Sequence, residues 1–246
     1  MQLKDKVALI TGGARIGQAV SQALADRGAH LVLTYRTSKS SAETSAAFAR
    51  ARGRRVLLIK TDLTLNKNIA DTIQRVKRTF GRLDILINMA SIYEATPLKT
   101  LNSKAWDRNI SANLKQVYDL STQAAPLMRT GGEGRIINFT DWTAASRRPR
   151  YKNFVPYYVA KSGVIGLTEV LGLELAPHIL VNAIAPGPIM PPKSGTSKKE
   201  KQEVTQVTPL KRWGGANEIA KAVLFLIETN FVTGECIRVD GGRHLY

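Results

Sequence analysis

Residues 7–17 read VALITGGARIG: a strand-like apolar run, a cluster of small residues, then the start of a helical pattern. In a strand-to-helix turn rich in glycine, backbone N–H groups can approach an anion, and the helix N-terminus adds positive potential. A glycine cluster alone is weak, since it can be a tight turn and no more. This one joins the first strand to the first helix, where a dinucleotide's pyrophosphate would sit. The second strand ends in Leu33-Thr34-Tyr35-Arg36-Thr37-Ser38-Lys39, with no acid to hold a ribose diol. Arg36, helped by Arg15, suits a 2′-phosphate through a charge-assisted contact. The two segments together predict NADPH in preference to NADH. Asp62 and Leu63, after the third strand, fall near the adenine, and Asp62 is equally suited to start a helix as its N-cap.

Outward from this turn, apolar runs at 7–11, 31–35, 56–61, 83–90, 135–140, 179–185 and 236–239 alternate with amphipathic stretches at 18–27, 42–52, 69–80, 106–128 and 157–175. Nearly continuous apolar strands are expected where helices cover both faces of a parallel sheet. The expectation is a single α/β domain over residues 1–246, a doubly wound parallel sheet of about seven strands with helices on both faces. Ligands of such sheets bind beyond the carboxyl ends of the strands. Residues 187–205, rich in Gly, Pro, Ser and Lys, read as a mobile loop over that edge.

Composition narrows the class. Apolar residues make up 43% of the chain, too many for a disordered protein, and no apolar run is long enough to span a bilayer. Cys236 is the only cysteine, which excludes an intrachain disulfide and suits a reducing compartment, so a cytoplasmic location is expected. The net charge of +17 favours anionic partners, although a generally basic surface without a target explains it equally well. Part of it clusters at residues 147–152 (RRPRYK) and 193–201 (KSGTSKKEK).

The run Ile136-Ile137-Asn138-Phe139-Thr140 ends in Asp141, where a carboxylate can bind a substrate, move a proton, or simply start a turn. Tyr157 and Lys161 are four residues apart behind Pro156, which puts both side chains on one helical face. An ammonium beside a phenol lowers the phenol's pKa and makes it a usable proton donor. Such a pair is common and usually structural. Its place on the helix after Asp141 gives it weight.

TGGARIG, the NMAS at 88–91, Asn113 in SANLK, the YVAK at 158–161 after Tyr157, and NAIAPGP at 182–188 resemble, in order and spacing, the short-chain dehydrogenase/reductases over nearly the whole chain. Most members of that family carry serine where Asp141 stands; its pteridine reductase branch, with the related dihydrofolate and dihydromonapterin reductases, carries aspartate. Arg15-Ile16-Gly17, the aromatic Tyr93 and the tail DGGRHL at 240–245 are similar to that branch as well. The resemblance implies a Rossmann-type oxidoreductase reducing a pterin or dihydrofolate C=N bond with NADPH, as a homotetramer. It implies catalytic roles for Asp141, Tyr157, Lys161 and Asn113, the last holding a water, with Lys161 on the nicotinamide ribose. Asp141 then reads as the substrate-protonating acid and not a turn residue. A cofactor site is implied at Gly12, Arg15, Ile16, Tyr35, Arg36, Thr37, Asp62, Leu63, Asn88, Ala90, Ser91, Thr140, Tyr157, Lys161, Pro186, Gly187 and Ile189. Substrate contacts are implied for Arg15, Tyr93, which would stack on the heterocycle, Asp141 and Tyr157. Trp142 is either packing or pocket wall, and no metal is expected.

The sequence departs from that pattern in a glycine turn one residue short and in Met89, where a second asparagine is usual. Two other readings stand beside it. One is a 3-oxoacyl or other carbonyl reductase, whose acidic carrier protein would suit the basic surface. The other is a nucleotide- or nucleic-acid-binding protein on the same fold, although a complete Asn-Asp-Tyr-Lys set is unnecessary for binding, and nucleic acid is not expected. Within the pterin reading, Lys193, Lys198, Lys199, Arg147 and Arg148 would attract a folate's glutamate tail.

Overall fold

The apolar runs become parallel strands, most of them buried. The computed structural model describes residues 1–12, 14–191 and 197–246, and of 198–201 the backbone. The strands are β1 (Val7–Thr11), β2 (His30–Tyr35), β3 (Val56–Lys60), β4 (Ile85–Asn88), β5 (Gly134–Phe139), β6 (Ile179–Pro186) and β7 (Cys236–Val239). They form one parallel sheet in the order β3-β2-β1-β4-β5-β6-β7. The chain builds outward from β1 to β3, returns, and builds the other way from β4. The crevice between the carboxyl ends of β1 and β4 is therefore the switch point where such sheets take ligands.

Successive strand residues point to opposite faces. Ala8 and Ile10 of β1 join one core with α1 (Ile16–Asp26), α2 (Lys39–Arg50) and α9 (Ala216–Glu228). Val7 and Leu9 join the other, with α3 (Asn66–Phe80), α5 (Gln116–Arg129) and α7 (Val155–Leu175). Both faces are covered, which is why the strands lack a polar alternation. No helix of the described residues is long and apolar enough to cross a membrane.

The structure departs from the sequence expectation in several elements. Strand β4 ends at Asn88 instead of residue 90, because the N–H groups of Met89 and Ala90 donate to Thr11 Oγ1 at 3.0 Å each. The long helix expected over 106–128 is α4 (Ser103–Ile110), a widened π-type turn at Ser111–Lys115, and then α5. The widening falls where Asn113 Oδ1 accepts the N–H of Ile92 (3.0 Å) and Gln116 Nε2 donates to the carbonyl of Ala90 (2.8 Å), both reaching across to the exit of β4. The loop expected over 187–205 contains the start of helix α8 (Lys198–Val207), whose Lys, Glu and Gln are good helix formers. Residues 192–196 of that loop, Lys193 among them, lie outside the described residues. Periodicity also passed over α9 and the single turn α6 (Trp142–Ala145).

Candidate active site

The first part of the site is a groove of about 330 Å³ at the switch point, lined by Gly12, Tyr35, Arg36, Thr37, Asp62, Leu63, Ala90 and Ser91 among others. Gly12 has φ 71°, and a Cβ there would lie 2.8 Å from Ala90 Cα, so glycine is required both for the turn and for the close approach of the loop after β4. Helix α1 opens with no acidic residue in its first turn and no side-chain cap, so its positive end faces the groove unopposed, although the N–H groups of Gly17 and Gln18 donate to the carbonyls of Ala14 and Arg15 at 3.1 Å each. Arg36, half exposed, reaches Asp62 at 3.7 Å. Asp62 is not the N-cap of α3, which starts at Asn66 behind Leu65; it closes a local turn, accepting from the N–H (3.0 Å) and hydroxyl (2.7 Å) of Thr64. Partial burial works against its charge, but those two hydrogen bonds and Arg36 hold the carboxyl below its ordinary range. A glycine turn that lets backbone approach the groove, with a guanidinium and a carboxyl at the ends of β2 and β3, fits a dinucleotide.

Several residues expected around the cofactor are placed otherwise. Arg15, at φ 56°, turns its guanidinium onto the carbonyl of Pro191, tying the glycine turn to the segment after β6 rather than joining Arg36. Ile16 packs against the core. Asn88 is buried, donating to Asn138 Oδ1 (2.9 Å) and Ser121 Oγ (3.2 Å), while Asn138 donates to Thr168 Oγ1 (3.0 Å). This ladder joins β4, β5, α5 and α7 below the groove. The role of the Asn88 side chain is to hold the two strand ends in register.

The second part is a cavity of about 730 Å³ beyond β5, β6 and β7, lined by Tyr93, Asp141, Trp142, Tyr151, Pro186, Gly187, Ile189, Trp213 and Arg243 among others. Asp141 serves at once as turn residue and as cavity carboxyl. Its Oδ1 caps α6, accepting from the N–H (2.8 Å) and hydroxyl (2.5 Å) of Thr143, and its Oδ2 accepts the Tyr157 hydroxyl at 3.3 Å. The expected exclusion of a turn role is therefore corrected. Two oxygens allow both roles, and the cap fixes the aim of the second oxygen.

Lys161 is buried, and its Nζ donates to the carbonyl of Phe139 at 2.7 Å. Thr140 Oγ1 donates to the Lys161 carbonyl (2.6 Å), so α7 is pinned to the end of β5 at both ends of one residue. Burial brings the Lys161 ammonium down to about 8, opposed by the charge of Asp141. Tyr157 departs from expectation. Burial, then the neighbouring Asp141 and Tyr93, push its phenol well above its ordinary value. The ammonium lies 5.8 Å from the Tyr157 ring and is turned to a carbonyl, so it does not produce the depression that the Tyr–Lys spacing implied.

The Asn113 side chain accepts from Ile92 N–H (3.0 Å) and donates to Asn109 Oδ1 (3.3 Å), positioning the loop that carries Ser91 to Tyr93. Tyr93 lines the cavity with its ring stacked on Phe154 (4.4 Å, 13°) and edge-on to Tyr157 (4.9 Å, 77°). One of its faces is therefore already engaged. Its phenol is pushed up to about 12 by burial and by Tyr151 and Asp141. Trp142 is both packing and wall: it is buried, and the Arg243 guanidinium lies 5.1 Å from its ring centre. The sequence reading missed Tyr151, Phe154, Trp213 and the ladder residues Ser121, Asn138 and Thr168. Tyr151 and Phe154 had a visible signal, since aromatics at 151, 154 and 157 recur every three residues.

This geometry defines an oxidoreductase site, and the chain belongs to the short-chain dehydrogenase/reductase family. A family profile described as "Enoyl-(Acyl carrier protein) reductase" matches residues 13–244. The chain is 33% identical to a 3-oxoacyl-[acyl-carrier-protein] reductase of Staphylococcus epidermidis, over 98% of this chain and all of that one. Among solved structures it is similar to a short-chain dehydrogenase/reductase of Serratia marcescens, with a TM-score of 0.91, 31% identity, and coverage of 99% and 100% of the two chains. It is likewise similar to an NADPH-dependent 3-quinuclidinone reductase of Rhodotorula rubra, with a TM-score of 0.91, 28% identity, and coverage of 100% and 93%. The family uses nicotinamide cofactors.

Proposed function

We propose that the protein is an NADPH-dependent reductase of a 3-oxoacyl-type carbonyl. The reading is carried by the full-length likeness to a 3-oxoacyl reductase in a chain whose Tyr157 hydroxyl meets the cavity carboxyl Asp141, with Lys161 one turn along α7. The groove residues Gly12, Arg36 and Asp62 would hold the cofactor, whose nicotinamide, when bound, supplies the hydride. Tyr157 gives its hydroxyl proton to the substrate oxygen, and Lys161, whose ammonium lies 5.8 Å from the Tyr157 ring centre, is a source from which that proton can be restored. The Asp141 carboxyl orients the phenol from the other side. A basic surface suits an acidic carrier bearing the acyl chain. Arg36, with no acid at the end of β2, supports NADPH over NADH.

Asp141 favours a second reading, reduction of a pterin or dihydrofolate C=N bond. A carboxyl beside the reacting atom opposes negative charge growing on a carbonyl oxygen, whereas it attracts a protonated ring nitrogen. The test follows NADPH oxidation with an acetoacetyl thioester, dihydrobiopterin, dihydromonapterin and dihydrofolate, for wild type and Asp141→Ser. Thioester turnover with inert pterins upholds the first reading. Pterin turnover that the substitution abolishes replaces it with the second, and silence on all four removes both.

We also propose a homotetramer. Tyr118 on α5, Val170 and Leu173 on α7, and Phe225 and Phe231 at and after α9 are exposed apolar groups that a monomer would leave in water. A monomeric mass by sedimentation would exclude it. The single cysteine supports a location in the reducing cytoplasm.

A further inference from the structure

The wall of the cavity also carries a cation that the reductase reading does not use. After β7, Asp240 is buried and accepts the N–H groups of Gly242 and His244 at 3.0 Å each and faces His244 Nδ1 at 2.7 Å. These contacts fold residues 240–245 into a tight turn over Gly241 and Gly242, both at positive φ, followed by a 3-10 turn at Arg243–Leu245. The turn directs Arg243 into the same cavity as Asp141, with its guanidinium over Trp142. Among the described residues its guanidinium makes one hydrogen bond, and a long one, from Nη1 to the Val207 carbonyl at 3.4 Å.

Among the described residues no carboxylate is paired with Arg243. Glu203 lines the cavity, exposed, without forming an ion pair with it. Neighbouring cations add to the field, since Arg148 bonds the His244 carbonyl (3.4 Å) and Arg238 the Ala145 carbonyl (3.0 Å). The cavity therefore holds charges of both signs, the Asp141 carboxyl beside the Tyr157 hydroxyl and a guanidinium braced on the Trp142 indole. A braced guanidinium in a partly enclosed site is suited to a planar oxyanion.

We propose that Arg243 is a specificity-determining residue that receives an anionic group, carboxylate or phosphate, borne by the substrate away from its reducible bond. The proposal deepens the reductase reading and rests on it. Two matched substrate pairs separate the sources of charge. Acetoacetyl coenzyme A against the neutral acetoacetyl N-acetylcysteamine thioester reads phosphate, and dihydrofolate against dihydrobiopterin reads carboxylate. In Arg243→Gln, the ratio of kcat/KM for the charged member to that for the neutral one falls about tenfold for the pair the enzyme uses. Arg243→Lys, which keeps the charge on a similar stem, retains most of the ratio. An unchanged ratio in Arg243→Gln overturns the proposal and leaves Arg243 as a packing partner of Trp142. If wild type reduces none of the four, the reductase reading fails separately. The anion site is then read by titrating NADPH-saturated protein with each substrate. Tighter binding of a charged member, lost in Arg243→Gln, supports it, and equal binding within both pairs overturns it.

Discussion

The cofactor groove and the substrate cavity lie along one sheet edge but are built differently. The groove depends on backbone: a glycine at positive φ, a helix start free of acids, and Thr11 Oγ1 latching two N–H groups of the next loop. Its lining comes mainly from the ends of β1 to β4 and the turns after them, with Ala112 and Gln116 added from the widened turn and α5. The cavity depends on side chains from segments far apart, namely Tyr93, Asp141, Tyr151, Tyr157 and Arg243. The first arrangement needs small residues in a set order and tolerates variation around them. The second needs particular groups brought together from distant segments, so it is exposed to the substitution of any one of them.

The sharpest way to break this contrast is Tyr157→Phe, which removes the proton and keeps the ring. Turnover should fall about 10²–10⁴-fold while NADPH affinity, measured by fluorescence titration, stays put. A parallel loss of NADPH binding would mean that the two regions are one. Next in size, Asn138→Ala deletes the centre of the buried ladder, leaving the Asn88 amide with Ser121 alone and Thr168 Oγ1 without its donor. It should cost about 1–3 kcal/mol in denaturant unfolding and weaken both regions together, because the ladder supports both strand ends. Arg36→Gln should act on the groove alone. The preference for NADPH over NADH should drop about tenfold with the substrate KM unmoved.

The pH dependence sharpens the cavity side. The Lys161 ammonium is present below about 8 and is lost above it, whereas the raised Tyr157 phenol keeps its proton through that range. Activity should therefore fall as pH rises through about 8. Asp141→Asn removes a charge that raises Lys161, so the falling limb should move to lower pH. A limb that stays in place in the variant would show that Lys161 does not set it.

Much of the groove was legible because its signals are local. VALITGG names a strand and its turn, and the missing acid after β2 needs only a few residues of context. The Tyr157–Lys161 spacing was legible for the same reason, since a helix converts four residues into one face. Less legible were side chains that have distant partners for their hydrogen bonds. Asn88 and Asn113 read as site residues, yet Asn138 and Ile92 engage them first. Arg15 reads as a phosphate ligand, yet the carbonyl of Pro191 takes its guanidinium.

The sequence by itself determined the doubly wound sheet, because apolar periodicity and glycine turns are properties of neighbouring residues. It determined as well which end of the sheet carries the chemistry. Only the tertiary structure decided that Asp141 divides its two oxygens between a helix cap and Tyr157. It alone decided that the Tyr157 phenol is held up by burial and a carboxyl instead of being drawn down by Lys161, and that Arg243 meets the same cavity from the end of the chain. Burial, and the pairing of groups a hundred residues apart, are set by how the elements pack, and no local pattern encodes them.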